Sequence, residues 1–360
     1  MIFLRAARRE FAHTAAAVFV ALFAILISTV LIRLLGQAAG GRLASDVVLA
    51  MIGFGSIAQL PIVLTLTLFI AILSTLSRSY RDSEMVVWFA SGLPLTAWVR
   101  PVLRFALPLV VVIAGTTLVV APWAQLKTVE FRERSNNRDD AARVAPGVFR
   151  ESAGGQRVFF VETGAGEDGR VKNVFVSTMQ HGRLGVMVSS EGYLESDEQG
   201  ARYVVLENGR RYEGVPGTPD YRVMEFERYA VRIRSPEAGE LPQKPRMLSV
   251  AQLLSAPLPA YRGELAARIG TPVAALLLSL LAIPMSFVNP RAGRSNNLIA
   301  AILVYLIYTN TLSICQAWIT QGKIGFATGL WVPHALMVLL LLLLFGRRLS
   351  VLRLWRSRGA

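Results

Sequence analysis

The residues from which this chain would have to build metal, thiol or nucleotide chemistry are few. They are His13, His181 and His334, the single Cys315, and the run Gly164-Ala-Gly166-Glu-Asp-Gly169. The histidines fall in a basic N-terminal segment, a polar middle and an apolar run, so they do not converge on one metal. The glycine run matches G-x-G-x-x-G, but it joins two strand-like segments and leads into no helix. It therefore offers no helix N-terminus to a pyrophosphate, and Glu167 and Asp168 would repel one; a hairpin turn explains it. No GxxxxGK[ST] loop occurs, so ATP hydrolysis is not expected on this chain. There is no G-x-S-x-G elbow, and no acid lies deep in an apolar run as a proton-coupled carrier would need. No catalytic residue, metal or cofactor is expected.

What remains is chemistry of recognition. Arg33 and Arg42 cluster after the first apolar run, and Arg262 and Arg268 flank the start of the fourth. Guanidinium forks pair with phosphate oxygens, so these four are candidate contacts for an anionic lipid. Arg33 at a helix end would also snorkel to the interface, and Glu264–Arg268 is an i,i+4 pair that needs no ligand. A second candidate is the stretch RSYRDSEMVVWFASG, residues 78–92. Asp82 or Ser83 is placed to cap a short helix over about 82–91, Glu84 suits its first turn, and Gly92 with Pro94 ends it. Met85, Val86, Val87, Trp88 and Phe89 leave that helix almost no polar face. Exposing a large apolar side chain costs about 1.5–3 kcal/mol, so this surface must be covered. Lipid would cover an interfacial helix; another protein would cover a plug with Glu84 at its rim. The residues alone leave both open. The third is Asn289, Pro290, Arg291, Gly293 and Arg294, a tight basic turn whose role stays open between partner contact and a lock on the flanking apolar runs.

These residues need a scaffold, and composition names it. The chain has 360 residues, 53% of them hydrophobic, with a mean hydropathy of +0.46, as expected of a polytopic membrane protein. Six runs approach the roughly 20 residues that cross the hydrocarbon: Ala15–Leu35, Ser56–Leu76, Phe105–Trp123, Ile269–Val288, Leu298–Trp318 and Leu330–Phe345. The second could begin near Val47, with Gly53 and Gly55 as a flexible point. The first, apolar from Ala15 to Ile32, is too long for the roughly 7–15-residue core of a signal peptide. In the fifth, Thr309, Asn310, Thr311 and Gln316 are expected as helix–helix contacts.

The net charge of +14 belongs to the membrane part. From Trp123 to Arg262, 20 Lys/Arg face 19 Asp/Glu, whereas the remainder holds 18 bases and only Glu10, Asp46, Asp82, Glu84 and Glu264. That distribution speaks for topology and anionic lipid, not nucleic acid. With the N-terminus inside, the cytoplasmic segments collect thirteen arginines, among them Arg5, Arg8, Arg9, Arg78, Arg81, Arg100, Arg347 and Arg348; the short outer loops hold Arg33, Arg42 and Lys323. Both termini are therefore expected in the cytoplasm. The middle reads as β, with strands at 157–162, 173–179, 184–196, 201–209 and 221–233 separated by Gly- and Pro-bearing turns. A sandwich, jelly roll or open barrel fits, and one cysteine allows no disulfide to staple it. Residues 125–143 could prolong the third span as a helix. The expected organisation is a membrane α-helical protein of 3+3 spans with an inserted periplasmic all-β, jellyroll-like domain: residues 1–123, 124–262 and 263–360.

Four segments, IRLLGQAAGG, SEMVVWFASGLP, IPMSFVNPRAGR and GKIGFATGLW, occur in the order of the lipopolysaccharide-export permease family, LptF and LptG, which the chain resembles along nearly its whole length. The loop VNPRAGR and Arg33 resemble the LptF branch more. The resemblance implies an inner-membrane heterodimer with an LptG-like permease, each with six spans and a β-jellyroll. It implies an LptB-like ATPase dimer docked on the short cytoplasmic helix, an LptC-like single-span subunit and a periplasmic LptA-like bridge. Lipopolysaccharide would leave the outer leaflet of the inner membrane through the cavity of the pair. On that likeness Glu84 matches the acid of the coupling helix, Met85 and Trp88 are packing contacts with the ATPase, and Asp82, Val86 and Phe89 complete the docking surface. An LptG-type subunit, an exporter of another anionic lipid and a membrane-anchored β scaffold are the rival readings.

Overall fold

The computed structural model describes residues 2–39, 47–142, 150–151, 157–163, 170–180, 183–196, 202–215, 221–233, 244–287 and 296–357. Arg42 and the turn from Asn289 to Arg294 lie outside the described residues. The chain divides into two units. One comprises Met1–Arg33, Ile52–Thr128 and Lys244–Ala360; the other comprises Leu34–Met51 and Val129–Gln243.

The first unit is helical: α1 (Ile2–Ala39), α2 (Val48–Arg81), α3 (Glu84–Ala90), α4 (Val99–Gly115), α5 (Ala121–Ala142), α6 (Val250–Ser255), α7 (Pro259–Met285), α8 (Asn296–Thr320) and α9 (Phe326–Ser357), some extending beyond it. Among the described residues, six helical stretches are long and apolar enough to cross a membrane, and they include all six expected runs except the last three residues of the fourth. Helices satisfy every backbone group internally, which hydrocarbon demands. α2 begins at Val48, as the residues around Gly53 allowed, and runs unbroken through Pro61. α4 passes into α5 through a π turn at Thr116–Val120, where Thr116 and Thr117 both donate to the Ile113 carbonyl. α5 continues the third span to Ala142.

α7 is the centre of the packing, in contact with α4, α8 and α9. Small residues let its neighbours approach: a Cβ at Gly263 would meet Thr320 Oγ1 at 2.1 Å, and one at Gly270 would meet His334 Nε2 at 3.4 Å. Buried His334 accepts or donates a hydrogen bond through Nδ1 with the Tyr308 hydroxyl, pinning α8 to α9. The polar residues of α8 depart from expectation. Thr309, Asn310 and Thr311 bond carbonyls of their own helix, at Tyr305 or Leu306, Leu306 and Ile307, so they hold no neighbouring helix by hydrogen bonds. An intrahelical bond satisfies a hydroxyl or amide in an apolar medium without requiring a partner helix.

The second unit carries a six-stranded antiparallel sheet paired in chain order: β1 (Arg150–Glu151), β2 (Arg157–Thr163), β3 (Val171–Gln180), β4 (Arg183–Ser196), β5 (Arg202–Gly214) and β6 (Tyr221–Ile233). It is a meander of the β class that the strand pattern predicts. Side chains of a flat strand alternate faces, so residues three apart point oppositely. Here they do not. The row Val171–Gly192–Leu206–Tyr229 and the row Val174–Ser189–Gly209–Phe226 contribute to one apolar cluster. A crease between the rows reverses the parity: Asn173 and Asn208 have φ of 52° and 50°, in the left-handed region that Asn tolerates. Ser189 Oγ donates to the carbonyls of Glu191 and Glu207, satisfying backbone that the crease perturbs.

Gly209 lets the crease close. A Cβ there would lie 2.4 Å from the Phe226 ring and 2.5 Å from the Val188 carbonyl oxygen. Gly209→Ala is therefore expected to destabilise the sheet by about 1–3 kcal/mol through overpacking. Limited proteolysis of the purified chain reads this as faster cleavage within 150–233; an unchanged rate would refute the crease.

Candidate functional site

α3 forms because two stops isolate it. α2 ends at Arg81, and Ser83 turns back with φ 60° before Glu84 opens the helix. Ser83 occupies the N-cap position, but neither it nor Asp82 caps as the sequence predicted: Ser83 makes no side-chain cap bond. A capping side chain needs the extended backbone of an ordinary N-cap, and the left-handed turn takes that away. The C-terminus ends as expected. Gly92, at φ 87°, lets its N–H reach Phe89 O at 3.1 Å and the Leu93 N–H reach Trp88 O at 3.1 Å, the paired bonds of a Schellman stop. Pro94 then leads through a 3₁₀ turn, Leu95–Trp98, into α4. The helix is seven residues long, shorter than the 82–91 expected.

Seven residues do not hold a helix in water. The inward face does so here. Met85 is 1% exposed, packed in the core that also holds Phe11, Leu68, Leu95 and Trp98. Trp88 and Phe89 are half-buried against the same core. Val86 and Val87 face outward at 64% and 66% exposure. The expectation that Met85 is a partner contact is corrected: its side chain is consumed inside this chain. Of the apolar stretch, Val86 and Val87 are what α3 offers outward.

Beside them opens a cavity of about 340 Å³ lined by Glu10, Glu84, Val87, Trp88 and Trp98, among others. Arg78 Nη2 donates to Glu10 Oε1 at 2.7 Å across its edge, with both side chains nearly half exposed; such a pair is screened and contributes little to stability. α3 thus brings Glu84, Val87 and Trp88 to the concavity, which Trp98 of the following 3₁₀ turn also lines. That arrangement suits an apolar knob with a basic neighbour.

The candidate lipid contacts separate. Arg33 on α1 and Arg262 on α7 are exposed and available to a ligand. Arg268 is not. It is 2% exposed; Nε donates to Glu264 Oε1 at 2.9 Å and Nη1 to Leu248 O at 2.8 Å, while Nη2 reaches the Pro245 and Arg246 carbonyls, each at 3.2 Å. The guanidinium is spent on the segment that returns the chain from β6 to α7. The Glu264–Arg268 spacing announced half of this; the carbonyl acceptors gave no signal in the sequence. Two further residues escaped notice, Phe287 just past α7 and Arg348 on α9, whose guanidinium carbon lies 4.1 Å from the Phe287 ring centroid. Among the described residues no group of three His, Cys, Asp or Glu side chains is placed to hold a metal.

Comparison with known proteins adds the following. Residues 5–347 match the model of a family described as lipopolysaccharide export system permease LptF/LptG. The chain is similar to lipopolysaccharide export system permease protein LptF of Escherichia coli (strain K12), 27% identical over 347 residues, covering 96% of this chain and 94% of that protein. The protein of the same name from Shigella flexneri matches with the same identity and coverage.

Proposed function

Because the chain belongs to the lipopolysaccharide export system permease family LptF/LptG, we propose that it is an LptF-type permease subunit of an ATP-driven exporter. It works in the inner membrane beside an LptG-like permease, an LptC-like single-span subunit and an LptB-like ATPase dimer. It passes lipopolysaccharide to its inserted β domain and an LptA-like bridge in the periplasm. The arginines at the ends of α2 and α9 and the start of α4 share an end of the bundle with α3, and the positive-inside rule makes that end cytoplasmic. ATP hydrolysis resides on the partner. This chain converts closure of the ATPase into a change of the cavity that it forms with its sister permease, a population shift driven by differential contacts of the two states.

The observation that carries the docking part is the outward pair Val86 and Val87, with Val87 and Glu84 lining a concavity. An apolar surface at the cytoplasmic end without a lysine-rich polar face suits a protein groove better than lipid. Arg33 and Arg262, exposed near the opposite end, are suited to lipid A phosphates. Affinity purification in mild detergent tests the whole reading: an ATPase, a second permease and lipopolysaccharide should accompany the chain, and phospholipid alone would refute it. Glu84→Arg is expected to lower ATPase recovery by about tenfold or more, since like-charge contact at an interface costs kcal/mol. Membrane insertion should be unchanged; undiminished recovery would remove Glu84 from the docking surface.

A further inference from the structure

α7 is fixed at two points, at Arg268 in its first half and just past its C-terminus, by side chains that the docking and lipid contacts do not use. At the end near α3, Phe287 meets the Tyr80 ring edge to face, with centroids 5.5 Å apart and planes at 72°. Tyr80, in the last turn of α2, also packs on Phe89 of α3 at 6.3 Å. Arg348 of α9 lies over the Phe287 ring. Three rings and a guanidinium from four parts of the chain thus join α3 to the ends of α7 and α9. In the first half of the helix, Arg268 grips the carbonyls of Pro245, Arg246 and Leu248, in the segment just before α6.

α7 is 27 residues long, and its latches at Arg268 and Phe287 lie about 28 Å apart at the α-helical rise. Ala274, Ala275, Leu278, Leu281 and Ala282 are buried, so the middle of the helix has no room to yield separately. Pro272, at the middle of α7, and Pro284, one residue before its end, each remove a bond from its hydrogen-bond ladder. Both prolines fall between the two latches, in the stretch that this packing holds. Edge-to-face rings and a bidentate fork are directional contacts, which pass on rotation as well as push.

We propose that α7 is the transmission element of this chain. Displacement of α3 enters it through Phe89, Tyr80 and Phe287, with Arg348 steadying the ring. It leaves through Arg268 to residues 245–248. Phe287 and Arg268 are positioning residues: neither touches nucleotide or lipid. The proposal rests on the transport reading above and adds to it a path from the docked helix through α7 to residues 245–248.

The test uses the complex as purified from its host, reconstituted in vesicles containing lipopolysaccharide. ATP hydrolysis and lipopolysaccharide release are measured in the same preparation. Phe287→Leu keeps an apolar side chain and loses the ring. Expected are normal ATPase recovery, hydrolysis within about twofold of the parent, and about tenfold less lipopolysaccharide released per ATP, a coupling change of ordinary size. Phe287→Tyr, which restores the ring, should restore the ratio. Arg268→Lys, which keeps a charge beside Glu264 and gives up the fork, should lower it. A parallel fall of hydrolysis and release, an unchanged ratio, or failure of Phe287→Tyr to recover it would each overturn the role of α7. A parental chain that brings neither ATPase nor lipopolysaccharide would overturn the transport reading itself, and with it this proposal.

Discussion

Met85→Ala is expected to destabilise the membrane unit by about 2–5 kcal/mol, the range for truncating a fully buried large apolar side chain. Met85 is 1% exposed and belongs to the core with Phe11, Leu68, Leu95 and Trp98. Its loss removes dispersion contacts within that core. α3 should loosen first, because seven residues cannot propagate a helix without tertiary packing. In detergent, the measurements are a lowered Tm and faster tryptic cleavage after Arg81. Val87→Asp is the control. At 66% exposure it should leave the Tm nearly unchanged, as surface substitutions do, while ATPase recovery falls. If Met85→Ala left Tm and cleavage as in the parent but abolished recovery of the ATPase, Met85 would be a docking residue after all.

This contrast shows what the sequence carried and what it did not. Six spans, a short helix after the second, its stop at Gly92 and Pro94, and five long strands are local properties; hydropathy and turn chemistry make them legible. Which side of α3 faces inward was not legible. Five consecutive apolar residues give no amphipathic stripe, so periodicity cannot choose between Met85 and Val87. The choice is made by Leu95, Trp98 and Phe11, which the chain brings beneath Met85 from both sides. The crease in the sheet is a similar case. Asn173 and Asn208 look like ordinary strand residues until the register sets them two strands apart, across β4. The arginines illustrate it best. Arg33, Arg262 and Arg268 are equivalent as charges near span ends, and only burial separates the two that are exposed from the one that is spent.

Arg268→Met is expected to be the most disruptive change at that end of α7, at about 3–5 kcal/mol, the cost of removing one member of a buried ion pair. The methionine fills much of the volume, so the loss is electrostatic. Glu264, with its side chain 12% exposed, is left as a carboxylate without its cation, and the carbonyls of Pro245, Arg246 and Leu248 lose their donor. Glu264→Gln keeps an acceptor for Arg268 Nε and should cost less. Leu at 264 combined with Met at 268 should recover part of the stability of Arg268→Met alone, because it leaves no buried charge uncompensated. A double-mutant cycle on thermal unfolding measures that coupling. Proteolysis supplies a local readout: the Arg246–Met247 bond lies in the segment that Arg268 holds, and its cleavage should accelerate in Arg268→Met. A phosphate-binding arginine predicts the opposite pattern, less lipopolysaccharide recovered with the chain at an unchanged Tm and an unchanged rate at Arg246. That outcome would return Arg268 to the lipid site. A lowered Tm with faster cleavage makes it the fastening of residues 245–248 to α7.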